Sequence, residues 1–543
     1  MNRRELIHLG ALAAAGAAFA PRPLFGETTA FDLVLRGGTL VDGLGGAPFV
    51  GDLALAGDRI AAVAPAGALD AGAARVVSVA GKVVCPGFVD LHSHSDWSLA
   101  GCPTADSRIR QGITTEITGN CGSSAAPASI DGVERDLATW FGELETKRVA
   151  VNVALLVGQG TLRERAMGNV DRPATEAELT RMIAELEAAM NAGAVGLSTG
   201  LEYVPGIFTP TAEIEALARV VARRGGLYAS HMRNEVAEIL AAVDEAIAIA
   251  RRTGVRTQMS HFKVCGRAYW PLQDQALAKL ERARQEGLDV AADVYPYTAY
   301  STGLSILLPA WAREGGSEAM LARLADPATR ATIRDAIAGY VAFEPGDFDL
   351  VVVASVGATG RAADVGRSVA AIAAGDGVTP AEMVLRLLEL CRDDVSYVGF
   401  AMSEENVAKV LAHPLVGFGS DGYALRAEDA DADRPHPRSY GAAARVLARY
   451  CRDLGALDLA TAVRKMTCFP ADRAGLAERG RLLPGCFADV VVFDLAQLAD
   501  TATYEDPKRY PTGIERVYVN GVAAIEGGTP TGARGGRVLR RIS

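Results

Sequence analysis

The sequence lacks any excess of basic residues: 55 lysines and arginines stand against 65 aspartates and glutamates, a net charge of −10 with pI near 5.4. A nucleic-acid groove needs a basic stripe, so that class of partner is excluded. None of the eight cysteines forms a CxxC pair, which excludes a zinc ribbon. Their scatter over a large chain does not look like a disulfide framework, although spacing alone leaves some pairing open. After the first residues no apolar run is long enough for a transmembrane helix. Histidine is scarce, with seven residues in 543, so its positions carry information.

What the sequence has is globular: 49% apolar and 22% charged residues. Its length exceeds one ordinary core and implies a large domain with a smaller one. Arg3-Arg4 precede an apolar run from Leu6 to Ala20, too short to span a bilayer and followed by Pro21-Arg22-Pro23. This resembles a twin-arginine export signal over residues 1–26 and implies a periplasmic protein, or a cytoplasmic one if the signal is not used.

Short β-like runs and Gly turns fill residues 27–85. Phe31 to Asp42 reads as a hairpin turning at Gly37-Gly38. Asp52–Ala56 and Arg59–Val63 read as a second hairpin, turning at Gly57-Asp58. The texture returns in residues 481–543, with strand patterns at Ala488–Asp494 and Arg516–Ile525. Both chain ends therefore predict one small β-sandwich domain. Between them, over 86–480, short apolar strands alternate with helical periodicity, which signals a parallel sheet. Eight strands are marked: Gly87–Leu91, Ile113–Ile117, Val151–Val157, Val195–Thr199, Leu227–Ser230, Arg256–Met259, Leu288–Asp293 and Leu415–Gly419. Eight strand–helix units predict a TIM (β/α)8 barrel, with an open doubly wound sheet as the competitor. An insertion at about 301–402 separates the last two strands. Its strand-like run Asp349–Ala354 competes for the place of the eighth.

Four histidines fall at strand ends. His92 and His94 close the first strand in Asp90-Leu-His-Ser-His-Ser-Asp96, and residues two apart on a strand point the same way. His231 ends the fifth strand, His261 follows the sixth and Asp421 follows the eighth. A barrel brings these C-terminal strand ends to one rim, where active sites of this fold lie. Imidazoles and a carboxylate converging there are the ligands expected of catalytic zinc. A lone histidine is more often structural; an HxH pair with two further strand-end histidines and an aspartate is harder to dismiss. His413 and His436 lie in loop-like contexts and are left out.

Several motifs carry a closer resemblance: Pro86 to Asp96, Glu116-Ile-Thr-Gly-Asn-Cys-Gly122, Gly196-Leu-Ser-Thr-Gly-Leu-Glu-Tyr203, Asp293-Val-Tyr-Pro-Tyr297 and Arg434-Pro-His-Pro-Arg-Ser-Tyr-Gly441. Together they resemble the N-acyl-D-amino acid deacylase (D-aminoacylase) branch of the amidohydrolase superfamily. The resemblance implies that Cys121, after strand two, joins His231 and His261 in holding a tight Zn2+. His92, His94 and Asp421 would line a second, weaker metal position. Asp421 would serve as general base. Arg438 would bind the substrate's α-carboxylate, assisted by Lys263, Tyr295 and Ser301, and Tyr203 would contact substrate. The substrate implied is a small N-acyl-D-amino acid. Relatives that take acyl-D-glutamate carry an arginine after the Tyr-Pro-Tyr motif; Tyr300–Pro309 here has no cation, which favours a neutral or apolar side chain. Gln159 departs from the Gly-His-Gly-Thr often found after strand three. Cleavage of a D-configured dipeptide or a cyclic amide, and a non-catalytic zinc protein, remain the alternatives.

Overall fold

A computed structural model describes residues 31–69, 73–130, 133–357, 361–429 and 431–541. The expected export signal lies outside the described residues.

Eight strands form one parallel sheet in strict chain order. They are β1 (Phe88–Asp90), β2 (Ile113–Thr118), β3 (Asn152–Gly158), β4 (Gly196–Gly200), β5 (Leu227–His231), β6 (Arg256–Met259), β7 (Val290–Val294) and β8 (Val416–Phe418). The ring closes between β8 and β1: Leu91 N–H donates to Phe418 O, and Asp421 N–H donates to His92 O at 2.7 Å. Strands β2 to β5, β7 and β8 are buried at every position, as expected when helices cover a barrel outside and side chains fill it inside. The helix Glu176–Ala192 shows how local chemistry sets the boundaries. Thr175 and Glu178 form a reciprocal capping box at its start, and Gly193 ends it at φ +114°.

Strands from both chain ends build a nine-stranded sheet. Val83–Pro86 joins the two halves by pairing antiparallel with Val490–Phe493. The sheet has its own apolar core, in which Leu35, Leu53 and Ile60 meet Val490, Val492 and Tyr518. Phe31 to Asp42 is not a hairpin. Leu33–Leu40 runs as one strand, and Gly37 at φ +72° makes a bulge between Leu35 and Gly38, where a turn was expected. The second hairpin turns at Gly57-Asp58 between Phe49–Ala56 and Arg59–Pro65.

Between β7 and β8, Tyr300–Gly303, Ser396–Gly399 and Val351–Ser355 form a separate antiparallel sheet with helices around it. The strand-like run near Asp349 belongs there and does not displace the eighth barrel strand. All eight cysteines are free thiols. No helix among the described residues is long and apolar enough to cross a membrane.

Candidate metal centre and active site

At the C-terminal rim His92, His94, Cys121 and Asp421 converge, each offering a ligand atom within 4.8 Å of the others. Cys121, His231 and His261 converge in the same way, so the thiol belongs to both groups. Three of these residues take left-handed backbone conformations that non-glycine residues seldom adopt: Cys121 at φ 53°, His261 at 34° and Asp421 at 54°. Such strain gathers where the surrounding structure dictates a side-chain direction, and here all three direct it to one point.

The loop carrying Cys121 is fixed from both sides. Asp96 accepts from Gly119 N–H at 3.3 Å and from Ala125 N–H at 2.9 Å. Gly122 (φ +75°) packs so tightly on β4 that a Cβ there would fall 2.5 Å from the Gly200 nitrogen. Bulkier residues would push the thiol out of the cluster.

His92, His231 and His261 each have a carboxylate beside one ring nitrogen. Asp293 lies 3.2 Å from His92 Nδ1, while His92 Nε2 lies 3.3 Å from the Cys121 sulfur. Glu202 lies 3.3 Å from His231 Nε2, and the buried Nδ1 of His231 has no hydrogen-bond partner. Beside His261 Nδ1 stand both Glu235 Oε1, at 2.8 Å, and Lys263 Nζ, at 3.0 Å. A proton on Nδ1 favours the carboxylate and leaves Nε2, 3.4 Å from the Cys121 sulfur, with its lone pair. Carboxylates in this position fix ring orientation and tautomer and make a histidine a better metal ligand.

The electrostatics suit a cation. Burial opposes a charge on His92, but Cys121, Asp293 and Asp421 outweigh it and push the imidazole up to about 10. Burial likewise opposes a charge on His231, which Glu235, Cys121 and Glu202 push up to about 10. Burial works against the Cys121 thiolate, yet His92 and His261 hold that thiol well below its usual range. A pocket that draws protons onto its imidazoles is one where a metal ion can replace them. The donors fit zinc: nitrogen, thiolate sulfur and carboxylate oxygen, with buried supporting carboxylates.

Asp421 connects the cluster to the substrate-side residues. His94 Nε2 lies 3.0 Å from its Oδ1, and Arg438 Nη1 lies 2.6 Å from its Oδ2. Burial would raise this carboxyl, but Arg438, His92 and His94 hold it well below the usual carboxylate range. Arg438 opens the helix Arg438–Arg445, donates to the backbone oxygen of Ser301 at 3.2 Å, and lies over the Tyr295 ring at 4.9 Å. The buried Tyr295 hydroxyl has no hydrogen-bond partner. Lys263 is buried and paired with Glu235. Tyr203 sets its ring edge-on to His231 at 4.7 Å and receives a hydrogen bond from Thr302. A cavity of about 600 Å³ opens over the cluster, lined among others by His94, Cys121, Tyr203, Ser301, Asp421 and Arg438.

The sequence singled out these eleven residues, and the structure gathers them at one place. It missed Glu202, Glu235, Asp293 and His436. Buried His436 accepts from Arg438 N–H at 3.0 Å and lies 2.9 Å from the Ala299 carbonyl oxygen, which sets the start of the arginine's helix. His413 pairs with Glu281, away from the cavity. Gln159 is buried against Thr209, and its side chain does not line the cavity.

Residues 75–525 match the amidohydrolase family. The chain belongs to that family. It is 40% identical over 523 residues to an N-acyl-D-glutamate deacylase of Alcaligenes xylosoxydans xylosoxydans, covering 94% of this chain and 96% of that enzyme. Among solved structures it is similar to a D-aminoacylase with a binuclear metal centre, activated by one metal and attenuated by the second (TM-score 0.80, 36% identity, 94% of this chain and 100% of that one). It is equally similar to an N-acyl-D-glutamate deacylase from Bordetella bronchiseptica in complex with zinc and a phosphonate mimic of the tetrahedral intermediate (TM-score 0.80, 36% identity, 94% and 100% covered). The similarity to these deacylases thus runs along nearly the whole length of the chain.

Proposed function

We propose that the protein is a zinc-dependent hydrolase that cleaves the amide bond of N-acyl-D-amino acids, releasing a carboxylate and a free D-amino acid. The observation that carries this reading is the junction at Asp421: one carboxylate touches the metal cluster through His94 and the carboxylate-binding candidate Arg438. Similarity to enzymes acting on acyl-D-amino acids supports it.

Cys121, His231 and His261 would hold the tight zinc, and His92, His94 and Asp421 would border a second, weaker position. Zinc supplies polarisation of an amide carbonyl and acidification of water towards a pKa of about 7. The rest falls to the chain's own groups. Arg438 presents a guanidinium fork suited to a planar carboxylate, and Lys263, held by Glu235, assists from beside the same Tyr295 ring. The unpartnered Tyr295 hydroxyl is free to donate to the same carboxylate. When the substrate's carboxylate engages Arg438, part of that cation's hold on Asp421 is released and Asp421 becomes a better base. Asp421 then takes the proton of the attacking water and returns it to the departing amine nitrogen as the C–N bond breaks. Tyr203 and Tyr423 line the cavity.

The test is turnover of N-acetyl-D-leucine by zinc-loaded protein before and after chelation. Loss on chelation and recovery with zinc support the reading; turnover that survives complete metal removal contradicts it. We further propose export through the Arg3-Arg4 segment, supported by the sequence pattern alone. Fusing residues 1–30 to a reporter should carry it to the periplasm, and an Arg3→Lys, Arg4→Lys pair should stop it.

A further inference from the structure

Behind the metal cluster lies a second, smaller chamber of about 30 Å³, walled by Glu202, Tyr300, Ile306, Tyr340, Glu344 and Tyr397. It shares Tyr203, His261, Ser301, Thr302 and Asp421 with the main cavity, and Lys263 and Tyr295 also line it. A substrate whose α-carboxylate sits on Arg438 carries its side chain on the carbon next to that carboxylate. The chamber is therefore the space open to the end of the side chain, and this assignment rests on the deacylase reading above.

Four carboxylates line that space; among the described residues Glu235 is paired with Lys263 and Asp421 with Arg438, which leaves Glu202 and Glu344 without a lysine or arginine partner. Glu344, at the end of the helix Pro327–Phe343, is only 6% exposed, and its carboxyl meets the Tyr340 hydroxyl at 3.5 Å and the Cys265 thiol. Among the described residues no lysine or arginine pairs with it: Lys263, the cation of the chamber, is taken by Glu235. Burial and the charge of Glu202 push the Glu344 carboxyl up to about 8. Arg313 lies behind Glu202, donates to its backbone oxygen at 3.1 Å, and does not line the chamber. A buried carboxylate without a cation is costly, and a ligand that brings the cation removes the cost. The void suits an ammonium-sized group, and the phenol hydroxyls of Tyr300, Tyr340 and Tyr397 offer acceptors around it.

We propose that Glu344 and Glu202 make this chamber a specificity pocket for a D-side chain ending in a primary amine. Glu344 is the specificity-determining residue of the pair, because Glu202 also orients His231. An acidic side chain meets two carboxylates there and is rejected.

The experiment compares kcat/KM for Nα-acetyl-D-lysine, Nα-acetyl-D-norleucine and N-acetyl-D-glutamate with zinc-loaded protein. Norleucine has the length of lysine without its charge. The expected order is lysine over norleucine by at least tenfold, and norleucine over glutamate. Glu344→Gln should bring the lysine-to-norleucine ratio to within about threefold of unity. A wild-type ratio at or below one overturns the assignment without recourse to a variant. So does a folded Glu344→Gln protein that keeps the full ratio. Preference for the D-glutamate substrate would also overturn it and give the governing charge to Arg313. If norleucine is hydrolysed and lysine is not, the pocket assignment fails and the deacylase reading stands. If none of the three is hydrolysed, the pocket assignment fails, and turnover of N-acetyl-D-leucine by the same protein decides whether the deacylase reading fails with it.

Discussion

Replacing Glu235 by glutamine should separate two roles that one carboxylate combines. Its Oε1 lies 2.8 Å from His261 Nδ1, and its other oxygen pairs with Lys263; both partners are nearly inaccessible, with Lys263 6% and Glu235 5% exposed. Glutamine keeps the shape and removes the charge. Lys263 is then a buried ammonium without a counter-ion, which costs about 3–5 kcal/mol of folding stability. Independently, His261 loses the anion that holds its proton on Nδ1, and weakening such a partner lowers metal affinity by about 10–100-fold. Adding Lys263→Met removes the stranded charge, so the double variant should regain most of the stability and none of the zinc affinity. Urea unfolding of the metal-free proteins reads the first quantity, and chelator competition reads the second. If the single variant matches the wild type in both, or if Lys263→Met restores zinc affinity along with stability, the reasoning about this site is wrong.

Asp421→Asn should cut kcat by roughly 10²–10⁴-fold, the typical worth of a general base, while the protein still takes up zinc through Cys121, His231 and His261; metal analysis beside steady-state kinetics checks both. Arg438→Lys keeps the charge and loses the fork, so kcat/KM should fall roughly 10–100-fold, mostly through KM, as measured with a series of acyl-D-amino acids. Glu344 has its folded carboxyl raised from 4.5 to about 8. The stability it contributes is therefore complete below about pH 4.5 and is lost as pH rises through 8. Relative to wild type, Glu344→Gln should gain stability between pH 5 and pH 8, read from urea midpoints, and an unchanged difference across that range would refute the shift.

The barrel was legible because its signal is local. Each strand is a short apolar run between helical stretches, and chain order equals sheet order, so no long-range pairing had to be guessed. The metal cluster was legible for the same reason: one rule, the strand end, collects His92, His94, His231, His261 and Asp421. Asp293, on β7, obeys that rule and was open to the same inference. Glu202 and Glu235 were not, because each meets its histidine through a loop whose path no periodicity records. His436 looked like an isolated loop histidine because its partners, Ala299 and the backbone of Arg438, are visible only once the chain has folded. The Leu33–Leu40 bulge was misread as a turn because Gly37-Gly38 fits both, and only strand pairing decides between them. The missing cation in Tyr300–Pro309 favours a neutral or apolar side chain. The role proposed for Glu344 points instead to a positive one, and Glu344 lies at a helix end in the insertion, where nothing in the sequence marks it.

The central claim is tested most directly by incubating purified, zinc-loaded protein with N-acetyl-D-leucine and, separately, with its L-enantiomer, and measuring free leucine. The account predicts release from the D-form alone, abolished by chelation and by Asp421→Asn. Release from the L-form at a comparable rate, or no release from either by folded, zinc-containing protein, would contradict it.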